Sequence, residues 1–193
     1  MGVTTAARAA RPRREQLLEA AAELFAARGY HAVGIDDIGA AAGITGPGVY
    51  RHFASKQALL EELVDRVMTR MLDGARETTA TVADPAAALQ ALVDRHVALA
   101  VDERALLGVY YREQRSLSDD ARRAQRRLQR AYEQQWAGAV APLRDDLTTQ
   151  EVAVVVIASL AMLNATAVSD VAVPAERLRT LLRRAAMTTL LSR

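Results

Sequence analysis

The stretch from Gly34 to Lys56, GIDDIGAAAGITGPGVYRHFASK, constrains the fold of this chain more than any other. The apolar residues of its first part recur at helical spacing and predict a short helix with one apolar side: Ile35, Ile38 and Ala42. Gly43 then supplies the backbone freedom that a sharp turn between two helices needs. The first half therefore predicts a helix that ends in a tight turn.

The second half of the stretch predicts another short helix. Thr45 suits its N-cap, and Pro47 suits its first turn, where a missing N–H costs nothing. Val49 and Phe53 lie four residues apart and should face inward, which leaves the polar residues between them to point elsewhere. Residues 34–53 are therefore predicted to form a helix-turn-helix whose second helix enters a DNA major groove.

The residues expected to contact DNA lie on and just after this second helix: Thr45, Gly46, Gly48, Tyr50, Arg51, His52 and Lys56. The two glycines lack side chains, so the backbone there should approach DNA closely. Arg51 suits guanine readout through O6 and N7. Ser55 should cap the next helix and place Lys56 at its N-terminus, where a phosphate is favoured.

Two segments, REQLLEAAAELFAARGY and IDDIGAAAGITGPGVYRHFASKQAL, resemble the N-terminal DNA-binding domain of the TetR-type bacterial repressors. The resemblance spans roughly Arg14 to Val64. It implies a homodimer on a palindromic operator and a small molecule in the C-terminal body that moves the long linking helix. Gly34 departs from the family, which usually places Ser or Thr there. Asp36 and Asp37 follow, so phosphate contact from that helix should be weaker.

Composition sets the fold class. The chain has 193 residues, of which 51% are apolar and only 4% aromatic, and this favours an all-α fold of about nine helices. We expect a flexible basic arm over 1–13, the helix-turn-helix domain over 14–57, and a helical effector-binding and dimerisation domain over 58–193. The arginines near Pro12 suit either a frayed tail or an arm that follows DNA phosphates.

Several functions are excluded or disfavoured by residue usage. The absence of cysteine excludes disulfides and thiolate chemistry. The histidines His31, His52 and His96 are scattered, and no catalytic triad or phosphate-cradling glycine loop appears. The sequence thus predicts a protein that is not an enzyme, without cofactor or metal, in the cytoplasm. The apolar run from Val152 to Val156 is expected to fall short of a membrane span.

The C-terminal part predicts a partner surface and a ligand pocket. The helix from Val152 to Val168 is apolar on nearly every side, and the last helix begins at Pro174. These two helices resemble the four-helix dimer interface of the family. The candidate pocket has few polar groups among many aliphatic ones, and this composition favours a hydrophobic effector. The pocket candidates are His96, Tyr110, Gln114, Tyr132, Trp136 and Asn164.

Two of these features leave alternatives open. His96 suits either a satisfied core histidine or a ligand contact, and the arginines of residues 122–130 suit either a solvated face or an entrance for an anion. The surrounding segment resembles regulators of fatty-acid or acyl-CoA metabolism. The predicted function is a repressor released from its operator by a hydrophobic molecule. The alternative is a helical interaction protein, or a regulator without small-molecule release.

Overall fold

A computed structural model describes residues 12–169 and 172–192, and within these ranges it contains nine α-helices and no strand. The helices are α1 (Arg13–Arg28), α2 (Ile35–Ala41), α3 (Gly46–Val49), α4 (Lys56–Thr81), α5 (Pro85–Asp102), α6 (Arg104–Arg112), α7 (Asp119–Val140), α8 (Thr149–Val168) and α9 (Ala175–Leu191). Short 3-10 turns follow α6 at Glu113–Ser116 and α7 at Ala141–Leu143. The predicted all-α class is confirmed.

Four helices begin at a residue whose side chain caps them; the cap predicted at Ser55 is among them, whereas Thr45, predicted to cap α3, makes no side-chain cap hydrogen bond. In each, the cap oxygen accepts an N–H of the first turn that has no partner within the helix, at 2.8–3.3 Å. The caps are Ser55, Asp84, Ser118 and Thr148. Thr148 also completes a capping box, because its N–H donates to Glu151 at 2.7 Å.

Helices α1 to α3 form the head, with a core of buried apolar side chains: Leu17, Phe25, Ile38, Val49 and Phe53. Arg13, which was placed at the end of the flexible arm, is the first residue of α1 and donates to the carbonyl of Ala42 at 2.7 Å. It therefore belongs to the folded head. The rest of the predicted arm, with Arg8 and Arg11, lies outside the described residues.

Helices α4 to α9 form the body. The long α4 starts in the head, at Lys56, and packs along α7, while α5 packs against α7, α8 and α9. The largest fully buried side chains of this part include Tyr110 and Trp136. Because α4 belongs to both parts, a shift in the packing of the body can reach the head through it.

Helix α8 is long and apolar enough to cross a membrane by length and composition, so the expectation that this segment falls short of a span was wrong. The polar residues beyond its first turn, Ser159, Asn164 and Thr166, are too few to break the apolar run. Only 39% of its most apolar window is buried inside the chain. One side of α8 packs on the body, and the other side is exposed.

Candidate DNA-binding edge and effector cavities

The turn between α2 and α3 depends on two glycines. Gly43 has φ +72°, in the left-handed region that other residues rarely adopt. A Cβ on Gly39 would lie 2.9 Å from the carbonyl oxygen of Ile44 and 3.1 Å from the carbonyl carbon of Thr45. Both are backbone atoms, which cannot move aside as a flexible side chain would. The sequence reasoning recognised Gly43 but missed Gly39.

Gly46 was predicted to let the backbone approach DNA, and the structure gives its missing side chain another reason. Gly46 is buried, and a Cβ there would lie 1.8 Å from a carboxylate oxygen of Asp36 on α2. The glycine therefore allows α2 and α3 to pack closely. The burial of Gly46 does not favour the predicted approach to DNA, which stays a prediction.

The remaining predicted residues of the second helix form an edge of graded exposure. Thr45, Tyr50 and Arg51 are exposed, with Tyr50 at 57%, whereas Gly48 and His52 are half-buried. Val49 and Phe53, which were predicted to face inward, are buried. We call Thr45, Tyr50 and Arg51 the exposed edge; a DNA role for it stays a prediction.

Lys56 lies at the N-terminus of α4, as predicted, but its ammonium is occupied. Its Nζ donates to the carbonyl of Tyr30 at 2.9 Å and to that of Val33 at 2.8 Å. It also lies 4.3 Å from the centroid of the Tyr30 ring, a cation–π contact. The side chain thus fastens the loop before α2 to α4, and a phosphate would have to compete with these partners.

The acids that follow Gly34 are partly engaged within the head. The N–H of Gly34 donates to Asp37 Oδ2 at 2.8 Å, the half of a capping box that does not need a side chain at Gly34. Asp37 also pairs with Arg28 at 3.6 Å. This pairing reduces the repulsion that the Asp37 carboxylate would exert on a nearby phosphate.

Four polar side chains form a hydrogen-bonded chain inside the body. His96 Nδ1 lies 2.8 Å from the Tyr132 hydroxyl, and its Nε2 lies 2.8 Å from Asn164 Oδ1. The amide nitrogen of Asn164 donates to the Tyr111 hydroxyl. Since Asn164 Oδ1 can only accept, Nε2 carries the proton and Nδ1 accepts from Tyr132. We call these four residues the polar chain.

His96 is neutral in this setting. Burial lowers the pKa of His96 from 6.5 to about 4, against a smaller opposing effect of its hydrogen bond with Asn164. Burial also raises the pKa of the Tyr132 hydroxyl. His96 is therefore a satisfied core histidine, and it also borders the cavities.

Two cavities lie on either side of His96 and Tyr132, which line both. The outer cavity has a volume of about 250 Å³ between α4, α5 and α7, and the inner one has about 120 Å³ between α4, α6, α7 and α8. Of the other pocket candidates, Tyr110 and Asn164 line the inner cavity. Gln114 and Trp136 line neither, and Trp136 is fully buried with its ring 5.8 Å from that of His96.

Sequence reasoning missed several residues that line these cavities. Met71 lines both cavities, Met68 and Tyr111 line the inner one, and Arg70 and Arg95 line the outer one. The arginines of residues 122–130 line neither cavity. Helical spacing identified the methionines only as apolar positions of α4, since spacing does not show which apolar face borders a void.

The head and the body meet at α6 and the turn after it. Helix α6 packs against α1 of the head. Tyr30 N donates to Glu113 Oε1 at 3.2 Å, and Ser118 N donates to Glu61 Oε1 at 2.9 Å. Helix α6 also carries Tyr110, which lines the inner cavity. It therefore touches both the candidate pocket and the head.

No site for a metal is apparent in the described part of the chain. Among residues 12–169 and 172–192, no group of three or more histidine, aspartate and glutamate side chains is arranged to hold a metal ion. The chemistry available at the two cavities is hydrogen bonding by the polar chain and ion pairing by Arg70 and Arg95.

Family comparisons agree with this architecture. The family model described as bacterial regulatory proteins, tetR family, matches residues 17–63, and the model described as tetracyclin repressor-like, C-terminal domain, matches residues 82–168. Together they cover more than two thirds of the chain. The head and body define a helix-turn-helix regulatory protein. The chain belongs to the TetR family.

Two curated relatives each match less than half of the chain. The HTH-type transcriptional activator FasR of Mycolicibacterium smegmatis is 42% identical over 82 residues, 42% of this chain and 37% of that protein. The HTH-type transcriptional repressor KstR2 of Rhodococcus jostii is 41% identical over 81 residues, 42% of this chain and 40% of that protein. The matched region thus spans about two fifths of these relatives.

Solved structures share the fold over nearly the whole chain. A TetR-family transcriptional regulator from Bordetella parapertussis has a TM-score of 0.82 at 23% identity, covering 92% of this chain and 93% of that one. AibR, in complex with isovaleryl coenzyme A and operator DNA, has a TM-score of 0.77 at 20% identity, covering 89% and 96%. At these identities the similarity establishes the fold alone.

Proposed function

We propose that the protein is a cytoplasmic, homodimeric repressor that binds a palindromic operator and is released by a hydrophobic small molecule, of the fatty-acid or acyl-CoA class. The observation that carries this proposal is the exposed edge on a rigid head, joined through α4 and α6 to a body with two cavities. Tyr50 and Arg51 have no role in the core, so their exposure calls for a partner outside the chain.

The exposed edge suits a DNA duplex. Arg51 can donate to phosphate oxygens or to a guanine edge, and Tyr50 and Thr45 carry hydroxyls that can donate to phosphates. The head holds this edge at a fixed angle because Arg14 donates to the carbonyl of His52 and lies 4.2 Å from the centroid of the Phe53 ring. A rigid edge loses little conformational entropy on binding.

A second copy of the chain would cover the outer side of α8. The exposed apolar residues of this helix recur every three or four positions and form one stripe: Val154, Ile157, Ala158, Ala161, Ala165 and Val168. Val154 is 65% exposed and Ile157 is 50% exposed. Stripes of this kind mark partner surfaces, and a two-fold axis lets the same stripe pack on itself. We assign the dimer interface to α8 together with α9.

The effector would act by favouring one of two arrangements of the body. A molecule in either cavity contacts Met71 on α4, the helix that starts in the head, and a molecule in the inner cavity also contacts Tyr110 on α6, which packs on α1. A shift of α6 and α4 would change the spacing of the two heads, so the ligand and the operator would select different arrangements. The structure of AibR with both isovaleryl coenzyme A and operator DNA supports a ligand of this class for the shared fold.

The test is binding of the purified protein to the DNA upstream of its own gene, measured by fluorescence anisotropy across a salt series. Specific binding should weaken steeply with salt because counterions are released. Arg51→Met should lose affinity, as should Val154→Asp, which should also be monomeric in sedimentation. Arg127→Met, an exposed arginine of α7, is the matched control and should bind like wild type.

Repression itself is tested by transcription in vitro from the same DNA. The protein should lower transcript yield, and a fatty acid or acyl-CoA should restore it. Activation by the protein would contradict the repressor assignment. Equal binding of wild type, Arg51→Met and Val154→Asp to the upstream DNA would contradict the DNA-contact and dimer assignments.

A further inference from the structure

We propose that the outer cavity binds an amphipathic anion, a carboxylate on an apolar chain, and that Arg95 is the residue that binds its head group. This inference rests on the proposed function, in which the body binds a small-molecule effector. It adds the chemistry of that effector and the residue that selects it.

The shape of the outer cavity places charge at its mouth and apolar surface within. Its apolar lining consists of Met71, Ala75, Leu92, Ala98 and Leu99. The polar groups at its floor, His96 and Tyr132, are neutral and hydrogen-bonded to each other at 2.8 Å. An apolar chain can therefore enter, whereas a charged group is better placed at the mouth.

The charged residues of the lining are not equivalent. Asp102 pairs with Arg179, and Arg70 pairs with Glu103. Three of the four charged lining residues thus have a close counterion. The fourth, Arg95, is the cation that a ligand can reach.

Arg95 has only a weak counterion, and it lies outside the cavity. The nearest carboxylate oxygen, from Glu77, is 3.4 Å away, and Glu77 does not line the outer cavity. The two side chains are 51% and 68% exposed, so water screens the pair and it adds little to stability. An anionic head group in the mouth could replace Glu77 at little cost and form a charge-assisted hydrogen bond with the guanidinium.

The backbone of α4 is shaped to receive Arg95. A Cβ on Gly74 would lie 2.1 Å from Arg95 Nε and 2.5 Å from Cζ, so the guanidinium lies directly on the helix at this glycine. Glycine is an unfavourable residue in a helix interior. Its missing side chain leaves the space that the guanidinium of Arg95 occupies, and Arg95 also lines the outer cavity. Any larger residue would push it away.

The arginines of residues 122–130 are poorer candidates for the same role. Arg122 and Arg123 pair with Asp119 and Asp120 on their own helix. None of this run lines the outer cavity. An anion held there would leave its apolar chain in water, which removes the hydrophobic part of the binding energy.

Fluorescence of Trp136, the single tryptophan of the chain, provides the measurement. Its buried ring lies 5.8 Å from the ring of His96 and should respond when the cavity fills. Decanoate, 1-decanol and decyltrimethylammonium share one chain length and differ in charge. Wild type should bind decanoate about tenfold more tightly than 1-decanol, and the cation least tightly.

Two variants and one control locate the effect at Arg95. Arg95→Met should remove the preference for decanoate over 1-decanol and leave the affinity for 1-decanol unchanged. Gly74→Ala should weaken decanoate binding by displacing the guanidinium, while a helix with alanine in place of glycine should be at least as stable. Arg130→Met, on the exposed arginine run, should behave like wild type.

The inference is overturned if Arg95→Met keeps the preference for decanoate, if wild type binds acid and alcohol equally, or if none of the three probes binds. Operator binding of the same proteins without probe separates this result from the proposed function. If decanoate binds through Arg95 but no operator DNA binds, the function assignment fails and the ligand assignment stands. If operator DNA binds but no probe does, the ligand assignment fails.

Discussion

The polar side chains that hold the turn of the head and those that lie beside the cavities of the body act in different ways. In the head, cationic side chains donate to backbone carbonyls: Arg13 to Ala42, and Lys56 to Tyr30. In the body, the polar chain joins side chains to one another between two cavities. Contacts to backbone fix the shape of a segment, whereas hydrogen bonds beside a cavity can be exchanged for bonds to a ligand. The head therefore holds one surface in a fixed shape, whereas the body can exchange its hydrogen bonds when a ligand binds.

The largest expected effect tests the neutral interior of the body. Because the pKa of His96 is about 4 in the folded chain and 6.5 without burial, the unfolded chain binds a proton that the folded chain excludes. Stability should therefore fall as pH drops from 6.5 towards 4, by up to ~3 kcal/mol from this residue alone. Urea unfolding at a series of pH values measures it.

The matched variant is His96→Gln, which has no titratable group but can still form hydrogen bonds. His31, His52 and the carboxylates are common to both proteins, so the difference between their pH profiles isolates His96. Identical slopes in the two proteins below pH 6.5 would show that the body tolerates charge at this position. The contrast with the charged contacts of the head would then be lost.

The next effect compares one glycine from each region. Gly39→Ala places a Cβ 2.9 Å from a backbone oxygen of the tight turn and should destabilise the chain by ~1–3 kcal/mol. Gly138→Ala, on an exposed face of α7 with nothing within 4 Å of the new Cβ, should stabilise it by ~0.5–1 kcal/mol. Urea unfolding gives both values, and a stabilising Gly39→Ala would show that the turn has room to move.

These glycines also show what the sequence could predict. Spacing and turn residues identified the helix-turn-helix, the cap at Ser55 and the all-α class, because these depend on interactions between residues a few positions apart. The packing roles of Gly39 and Gly46 were missed because the atoms that crowd them belong to the neighbouring helix or turn. Whether a glycine in a short helix is there for DNA or for packing depends on the angle between helices, which spacing does not specify.

The cavities were less predictable than the head. Residues of the polar chain that stood out as isolated polar groups on apolar faces were named from sequence, such as His96 and Asn164. Arg95 was not named, because its position in the sequence fits the solvent-exposed face of α5. Its guanidinium lies over Gly74 on another helix, 21 positions earlier. Contacts between distant residues were needed to find it.

A smaller effect distinguishes two roles of Lys56. Lys56→Met should cost ~1–2 kcal/mol of stability, because the carbonyls of Tyr30 and Val33 lose a charged donor. The measurement is urea unfolding of the variant beside wild type, with operator binding measured on the folded protein. Unchanged stability with weaker operator binding would assign Lys56 to phosphate rather than to the head, and would weaken the contrast drawn above.

The smallest effect on stability is expected at Tyr50, and it tests whether the edge of the head is free to bind. Tyr50→Ala removes a side chain that is 57% exposed, so the free energy of unfolding should change by no more than ~0.5 kcal/mol. Its operator affinity should fall about tenfold, because a hydroxyl and a large contact area are lost. Tyr50→Phe, which lacks only the hydroxyl, should fall between the two proteins. If Tyr50→Ala had a lower free energy of unfolding than wild type but the same operator affinity, Tyr50 would stabilise the fold, and the DNA-binding edge of the head would lie elsewhere.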